Sequence, residues 1–250
     1  MHTVLTIVVA AGSGLRMGTA VPKQFLPLDG EPIVMRTMRR LAEGVGRFLT
    51  GCSSDVNNTV ENSNAAHPNH SLLLVLPPDA ITRWEELCRQ HRFQIPHQTV
   101  PGGPTRFHSV QNALRAAASD ADVILVHDGV RPLVDDATLA RVITTAAAYG
   151  TAVPVVPVID SLRQLSPQGS ESVAVDRSAY RAVQTPQGFR GEWLRAAYEQ
   201  PYDEIFTDDA SVVERLGRGP IVLTDGSPQN LKITTPFDLV VAESWLHQPK

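Results

Sequence analysis

Cysteine is scarce in this 250-residue chain, which carries only Cys52 and Cys88. Two thiols cannot build the disulfide framework of a small secreted protein, and no C-x-x-C spacing suggests zinc or a redox pair, so a reducing, cytoplasmic compartment is expected. A long hydrophobic run is missing as well. The longest uncharged stretch, Val142 to Ile159, is interrupted by Gly150, Pro154 and Pro157 and has no aromatic belt, so it reads as a helix followed by a strand and not as a membrane span. No Lys or Arg precedes the apolar run Val4 to Ala11, which makes it a poor secretory signal and a good buried strand. Positive charge is not in excess either. Lys and Arg number 22 against 26 Asp and Glu, a formal net charge of −4, which argues against broad binding to nucleic acid or anionic membrane. The eight histidines show no metal-ligand spacing, and no nucleophile elbow or Cys-His pair occurs.

What is present is the composition of a folded protein, 42% apolar and 19% charged. Thr3 to Ala11 is β-branched and apolar without alternation, the pattern of a strand covered on both faces. Pro32 to Leu41 has helical spacing at Ile33, Val34, Met38 and Leu41. A strand is expected over Leu72 to Leu76, and Thr82-Arg83-Trp84-Glu85 has the form of a capping box opening a helix toward Gln90. Further on, the pattern predicts a helix from Arg106 to Ala118, a strand over Val123 to Val126 and a helix from Leu139 to Ala148. Val153 to Val158 resumes an extended run whose prolines place it at an edge or a departure from the sheet. Ile221 to Leu223 and Asp238 to Leu246 read as a closing strand and helix. This alternation predicts one α/β domain over residues 1–250, built on a doubly wound, mostly parallel sheet. Two regions break it: Thr50 to Ser71, polar and Asn-rich, reads as a surface insertion, and Asp160 to Gln187 reads as a projecting arm suited to pack on another subunit.

The strongest chemical signal is Ala10-Ala11-Gly12-Ser13-Gly14-Leu15-Arg16-Met17-Gly18, followed by Pro22-Lys23-Gln24. A strand running into glycines lets backbone N–H groups approach a phosphate closely, and Arg16 and Lys23 add cationic donors. The glycines alone equally suit a dinucleotide-binding turn, but the acidic ribose ligand expected ~20 residues on has no convincing candidate, since Asp29 and Glu31 lie in a turn. His127-Asp128-Gly129-Val130-Arg131-Pro132 directly follows an apolar strand, where Asp128 would serve as a Mg²⁺ ligand or simply pair with Arg131 in a turn. Pro101-Gly102-Gly103-Pro104-Thr105-Arg106, followed by Ser109, is another glycine turn before a helix, suited to line a base pocket or to act as an ordinary cap. Thr207-Asp208-Asp209-Ala210-Ser211 has the make-up of a helix start with Thr207 as N-cap. Lys232, between apolar Leu231 and Ile233, would point opposite to both if extended, toward a cleft or toward water.

Taken in order, Ala-Ala-Gly-x-Gly-x-Arg-Met, Pro-Lys-Gln, His-Asp-x-x-Arg-Pro, Val175-Asp176-Arg177, Thr185-Pro186-Gln187 and Asn230-x-Lys232-x-Thr234 form a highly specific set. The chain resembles the 2-C-methyl-D-erythritol 4-phosphate cytidylyltransferases of the non-mevalonate isoprenoid pathway from Ala10 to Thr234, with only the Thr50 to Ser71 stretch foreign. The resemblance implies a Rossmann-like, glycosyltransferase-A-like nucleotidyltransferase fold. It also implies transfer of CMP from CTP to the phosphate of methylerythritol phosphate, with release of pyrophosphate. Arg16 and Lys23 would stabilise charge on the triphosphate, and Asp128 would hold Mg²⁺. Ala10, Ala11, Gly12, Ser13, Gly14, Gly102, Gly103, Ser109 and Gly129 would surround the nucleotide. Arg131, Ser161, Arg177, Thr185, Thr207 and Lys232 would hold the sugar phosphate, Arg177 and Lys232 with catalytic roles. A homodimer whose arms reach into each other's sites is implied. Pro104, Gly129-Val130 and Ser161 depart from the usual pattern. The nearest rival activity is a ribitol 5-phosphate cytidylyltransferase; from another class, the glycine loop would suit a nicotinamide-dependent dehydrogenase or a non-catalytic nucleotide-binding module. The chemistry itself asks for no general base, because the attacking phosphate oxygen is already anionic at pH 7.

Overall fold

The computed structural model describes residues 2–12, 21–51, 67–118 and 120–248. Strand β1 (Val4–Val9) is followed by a small hairpin, β2 (Pro27–Leu28) and β3 (Glu31–Pro32), and by helix α1 (Ile33–Thr50). Next come β4 (His70–Leu76), α2 (Ile81–Gln90), β5 (Gln98–Pro101), α3 (Arg106–Ala116) and β6 (Val123–Asp128). Helix α4 (Asp136–Tyr149) and strand β7 (Thr151–Pro157) lead to three short strands, β8 (Arg163–Leu165), β9 (Ser172–Ala174) and β10 (Arg181–Val183). The chain closes with β11 (Gln187–Arg190), α5 (Gly191–Ala197), α6 (Asp209–Leu216), β12 (Leu223–Asp225) and α7 (Pro236–Leu246).

The main sheet has the order β5-β4-β1-β6-β11-β7, with β10 and β12 also paired to β7. The strands run parallel except β10 and β11. Because successive strand residues face opposite sides, β1 feeds two cores. Val4 and Val8 pack with α1, α2 and α4, while Leu5 and Ile7 pack with α3, α5 and α6. Burial on both faces is why these strands read as continuous apolar runs. The one polar residue inside β1, Thr6, meets the ring of buried His70 through its hydroxyl at 2.9 Å.

Four expectations are revised. Helix α1 runs to Thr50 and not to Leu41, because Val45 and Leu49 continue its buried stripe and Gly51, with φ 69°, ends it. Thr50, His70 and Ser71 thus belong to regular elements, and of the polar stretch residues 52–66 lie outside the described residues. Thr82 sits inside α2 and caps nothing; the N-cap is Ala80, reached through a 3₁₀ turn over Pro78–Ala80. Strand β7 is interior, not an edge, with β10 and β11 along one side and β12 along the other. Its prolines are tolerated because Val155 pairs with Val183 and Ala152 with Gly188, so Pro154 lies opposite the break between β10 and β11.

The expected arm projects from Ile159 to Tyr180, where the chain is largely exposed and β8 pairs with β9; Arg181 to Val183 return to the main sheet as β10, and the last four residues of the expected range, Gln184 to Gln187, are buried in the body. Among the described residues no helix is long and apolar enough to cross a membrane.

Candidate functional site

The strand order reverses beside β1, since β4 and β5 lie on one side of it and β6 on the other. At such a switch the carboxyl ends of neighbouring strands open onto a crevice. Register places Val9 beside Val75 on one side and beside Asp128 on the other, so the Ala10-Ala11-Gly12 loop starts between the ends of β4 and β6. Glycine is what lets three loops close together here. A Cβ on Gly129 would stand 2.8 Å from that of Ala10, and one on Gly102 would stand 2.7 Å from that of Ala11. The Gly103 N–H donates to Ser109 Oγ at 3.1 Å, and that hydroxyl donates to the Thr105 carbonyl at 2.9 Å. Ser109, expected to face the nucleotide, is buried, and its hydroxyl also closes its own turn. Of the expected loop residues, Ser13, Gly14 and Arg16 lie outside the described residues, while Lys23 is half-buried at the start of a 3₁₀ turn, Lys23–Phe25.

Asp128 is the centre of the polar arrangement. One of its carboxylate oxygens, Oδ2, lies 3.2 Å from Arg131 Nε and 3.0 Å from Lys232 Nζ. Burial alone would raise the pKa of this carboxyl, but Arg106, Lys232 and Arg131 override it and hold the group well below the usual carboxylate range. The pairing with Arg131 is the turn contact that the sequence allowed; Lys232, from a segment about 100 residues later, turns it into a site. Lys232 is not on a strand. The Ile233 N–H donates to the Val130 carbonyl at 2.9 Å, Ile233 is buried, and the ammonium group is left on the opposite side, half-exposed at the crevice.

A chain of hydrogen bonds sets Asp128 in place. Its N–H donates to Thr185 Oγ1 at 3.0 Å, and that hydroxyl lies 3.2 Å from His127 Nδ1. His127 Nε2 lies 3.0 Å from the Arg131 carbonyl, which can only accept, so Nε2 carries the proton and Nδ1 accepts from Thr185. Arg131 donates to the Asn230 carbonyl at 2.7 Å, and Asn230 Nδ2 donates to the Thr185 carbonyl at 2.7 Å. Thr185 and Arg131, both expected to hold substrate, also tie β6, the start of β11 and the Asn230 segment into one unit. Burial pushes the His127 and His70 rings down to about 4.

Those two histidines make a pH prediction. Each has a folded pKa below its unfolded value of about 6.5, so each contributes stability that is complete above that value and is lost as pH falls toward 4. Chemical denaturation between pH 7 and pH 5 is expected to show a loss of about 2 kcal/mol per histidine. A flat profile would contradict their being buried and neutral.

Arg106, the first residue of α3, is a site residue that the sequence reading passed over. It donates to Asp209 at 2.5 Å, Asp209 also accepts from the Tyr198 hydroxyl at 2.6 Å, and the guanidinium acts on Asp128. A signal existed: a cation in the first turn opposes the helix dipole, so it needs an acidic partner elsewhere. Asp209 is that partner and is fully buried, not a surface acid of the helix start. The N-cap of α6 is Asp208, closing a capping box with Ser211, and not Thr207, which is exposed one residue earlier. Ser161 and Arg177 lie on the exposed arm, where Arg177 donates to the Ile159 carbonyl.

Two clefts flank these elements. One of about 470 Å³ borders the β1 loop and is lined by Ala11, Gly12, Pro22, Gln24, Phe25, Pro77 and Asp79 among others. The other, about 550 Å³, lies at the opposite end of the sheet against Asp122, Arg190, Glu192 and Arg195, with charges of both signs. Only the first adjoins the switch point. The acids nearest dinucleotide-fingerprint spacing stand on the β2–β3 hairpin, where Glu31 pairs with Arg39 at 2.9 Å.

This arrangement can be set beside known proteins. The family model described as "IspD: 2-C-methyl-D-erythritol 4-phosphate cytidylyltransferase" matches residues 4–55 and 53–248. The chain is 43% identical over 240 residues to the 2-C-methyl-D-erythritol 4-phosphate cytidylyltransferase of Bacteroides fragilis, covering 96% of this chain and 98% of that one. It is 44% identical over 237 residues to the protein of the same name from Porphyromonas gingivalis, covering 95% of each. The crystal structure of the Thermus thermophilus protein of that name superposes with a TM-score of 0.69 at 30% identity, over 99% of this chain and 100% of that one. A match that spans both the glycine loop at the end of β1 and the Asp128, Arg131 and Lys232 cluster makes this chain a member of the 2-C-methyl-D-erythritol 4-phosphate cytidylyltransferase family.

Proposed function

We propose that the protein transfers CMP from CTP to 2-C-methyl-D-erythritol 4-phosphate. The observation that carries this reading, beside the family, is one carboxylate paired with Arg131 and Lys232 at the switch point of a parallel sheet, next to a glycine loop. A phosphate oxygen of the acceptor attacks the α-phosphorus of CTP, a new P–O bond forms, the bond to the β-phosphate breaks, and pyrophosphate leaves with the electron pair. Two polyanions must be brought together in line, so the work is charge neutralisation and positioning. Arg16 and Lys23 act on the triphosphate, Lys232 and Arg131 on the acceptor side. The donor set fits Mg²⁺, which is commonly held by one or two carboxylates plus substrate phosphates. Asp128 supplies the carboxylate, kept ionised by its cations, and among the described residues no group of three or more acidic, His or Cys ligands competes for the role. When bound, the ion neutralises charge on the phosphates.

The arm supports a homodimeric reading. Ile159, Leu165, Val173, Tyr180 and Val183 are all exposed apolar residues on or beside it, more than a monomer usually presents on one projection. Two such arms exchanged between copies would bury these residues and bring Arg177 and Ser161 to the partner's crevice, with residues 1–250 as one domain. Two free cysteines at most and no membrane-crossing helix among the described residues support a cytoplasmic enzyme.

A competition assay with CTP, Mg²⁺ and equal methylerythritol phosphate and ribitol 5-phosphate tests the function. Faster consumption of methylerythritol phosphate is expected. Preference for ribitol phosphate would overturn the acceptor assignment, and NADH binding without any response to CTP would overturn the transferase reading.

A further inference from the structure

Gln24 is one of a few buried side chains among the described residues with an unmatched polar atom. It lies between Lys23 and the core residue Phe25 in the 3₁₀ turn, is 1% exposed, and its side-chain Nε2 finds no hydrogen-bond acceptor among the described residues. A buried amide donor left unmade is costly, and a hydrocarbon of the same shape would be the cheaper choice for folding alone. The same side chain lines the 470 Å³ cleft, opposite Ala11 and Gly12 at the start of the glycine loop. Its volume falls in the range of small-molecule sites. The lining holds one carboxylate, Asp79, which does not bond Nε2, and Arg83 is a donor paired with Glu86. An unmatched donor on the wall of a cleft that Gly12 also lines, one residue from Lys23 in the chain, suits an acceptor of the polyphosphate kind.

We infer that Gln24 is a nucleotide-positioning residue, whose amide N–H stays unmatched in the free enzyme and is satisfied when a nucleoside triphosphate enters the cleft beside the β1 loop. This rests on the CTP reading given above and adds a residue and a direction of coupling to it. Folding stability is given up at Gln24 in the empty site and recovered on binding, so the two properties should move in opposite directions when the amide is removed.

The test uses the full chain carrying Gln24→Met, which keeps length and removes the donor, and Gln24→Glu, which keeps shape and puts an acceptor against the phosphates. Thermal melting without and with CTP and Mg²⁺ is compared with steady-state kinetics. For Gln24→Met the free enzyme is expected to melt at the same temperature or ~2–4 °C higher, because the orphan donor is gone. The CTP-induced rise in melting temperature is expected to shrink and KM for CTP to increase about tenfold or more, with kcat changed less than about threefold. Gln24→Glu is expected to raise KM further. A free enzyme that melts lower with KM for CTP unchanged in both variants would overturn the inference and make Gln24 a packing residue. If the parent chain itself shows neither turnover nor a melting shift with CTP, the nucleotide reading fails first, and the role of Gln24 falls with it.

Discussion

Lys23→Ala is expected to lower kcat about a hundredfold or more, the scale of losing one preorganised charge contact in the transition state. The backbone around Lys23 explains why so much should hang on one ammonium group. Pro22 restricts the approach, the Phe25 N–H donates to the Pro22 carbonyl at 2.9 Å, and the Leu26 N–H donates to the Lys23 carbonyl at 3.2 Å. Phe25 and Gln24 are buried, so the turn is anchored in the core on the wall of the cleft. A cation carried on an anchored turn needs less reorganisation, as negative charge shifts onto the leaving pyrophosphate, than one on a mobile segment. The loss should fall on kcat more than on KM for CTP, since the charge grows during the reaction. Arg16→Ala is expected to match it. Single-turnover rates near those of the parent in both variants would contradict the assignment, and an unchanged melting temperature in Lys23→Ala separates lost chemistry from lost structure.

Arg177→Ala is expected to abolish acceptor binding while leaving CTP binding intact, with the activity returning when the variant is mixed with Lys23→Ala. Among the described residues Arg177 bonds within its own arm, whose neighbour Ile159 is 81% exposed. If arms are exchanged, a Lys23→Ala subunit lends its intact arm to the intact core of an Arg177→Ala subunit, so each mixed dimer has one complete site. After full subunit exchange at equal amounts, about a quarter of all sites should be restored. Two inactive proteins would together form an active one, an outcome a monomer cannot give. Mixed dimers that form and remain inactive would sink the shared site.

Much of the site was readable because its residues sit where local chemistry is constrained. The glycines at 102 and 129 mark close backbone approach, and Asp128 ends an apolar strand, where an open α/β sheet binds its ligands. A further signal lay in composition. The chain has three lysines in all, Lys23, Lys232 and Lys250, the remaining cations being arginines, and two of the three stand in the motifs that carry the chemistry. What misled was reading a residue's type without its surroundings. Ser109 and Thr185 have hydroxyls a ligand would want, yet both are used internally, one closing a loop and one setting Asp128. Thr82 has the spacing of a cap but stands within a helix that enters through Pro77 and Pro78. Val153 to Val158 carries prolines and is still interior, because the partner strand breaks where an N–H is missing.

Sequence by itself determined the alternation of strands and helices, the doubly wound class and the order of motifs, since these depend on apolar periodicity and on the conformations open to Gly and Pro. Only the tertiary structure decided which cations meet Asp128. Arg106, Arg131 and Lys232 come from segments separated by up to 126 positions, and only the folded sheet brings their fields onto one carboxylate. Which hydroxyls are engaged inside the chain was decided there too, by which buried donors and acceptors remained to be paired. Coulomb interaction and hydrogen bonding act over a few ångströms in space, and spacing along the chain does not carry that distance.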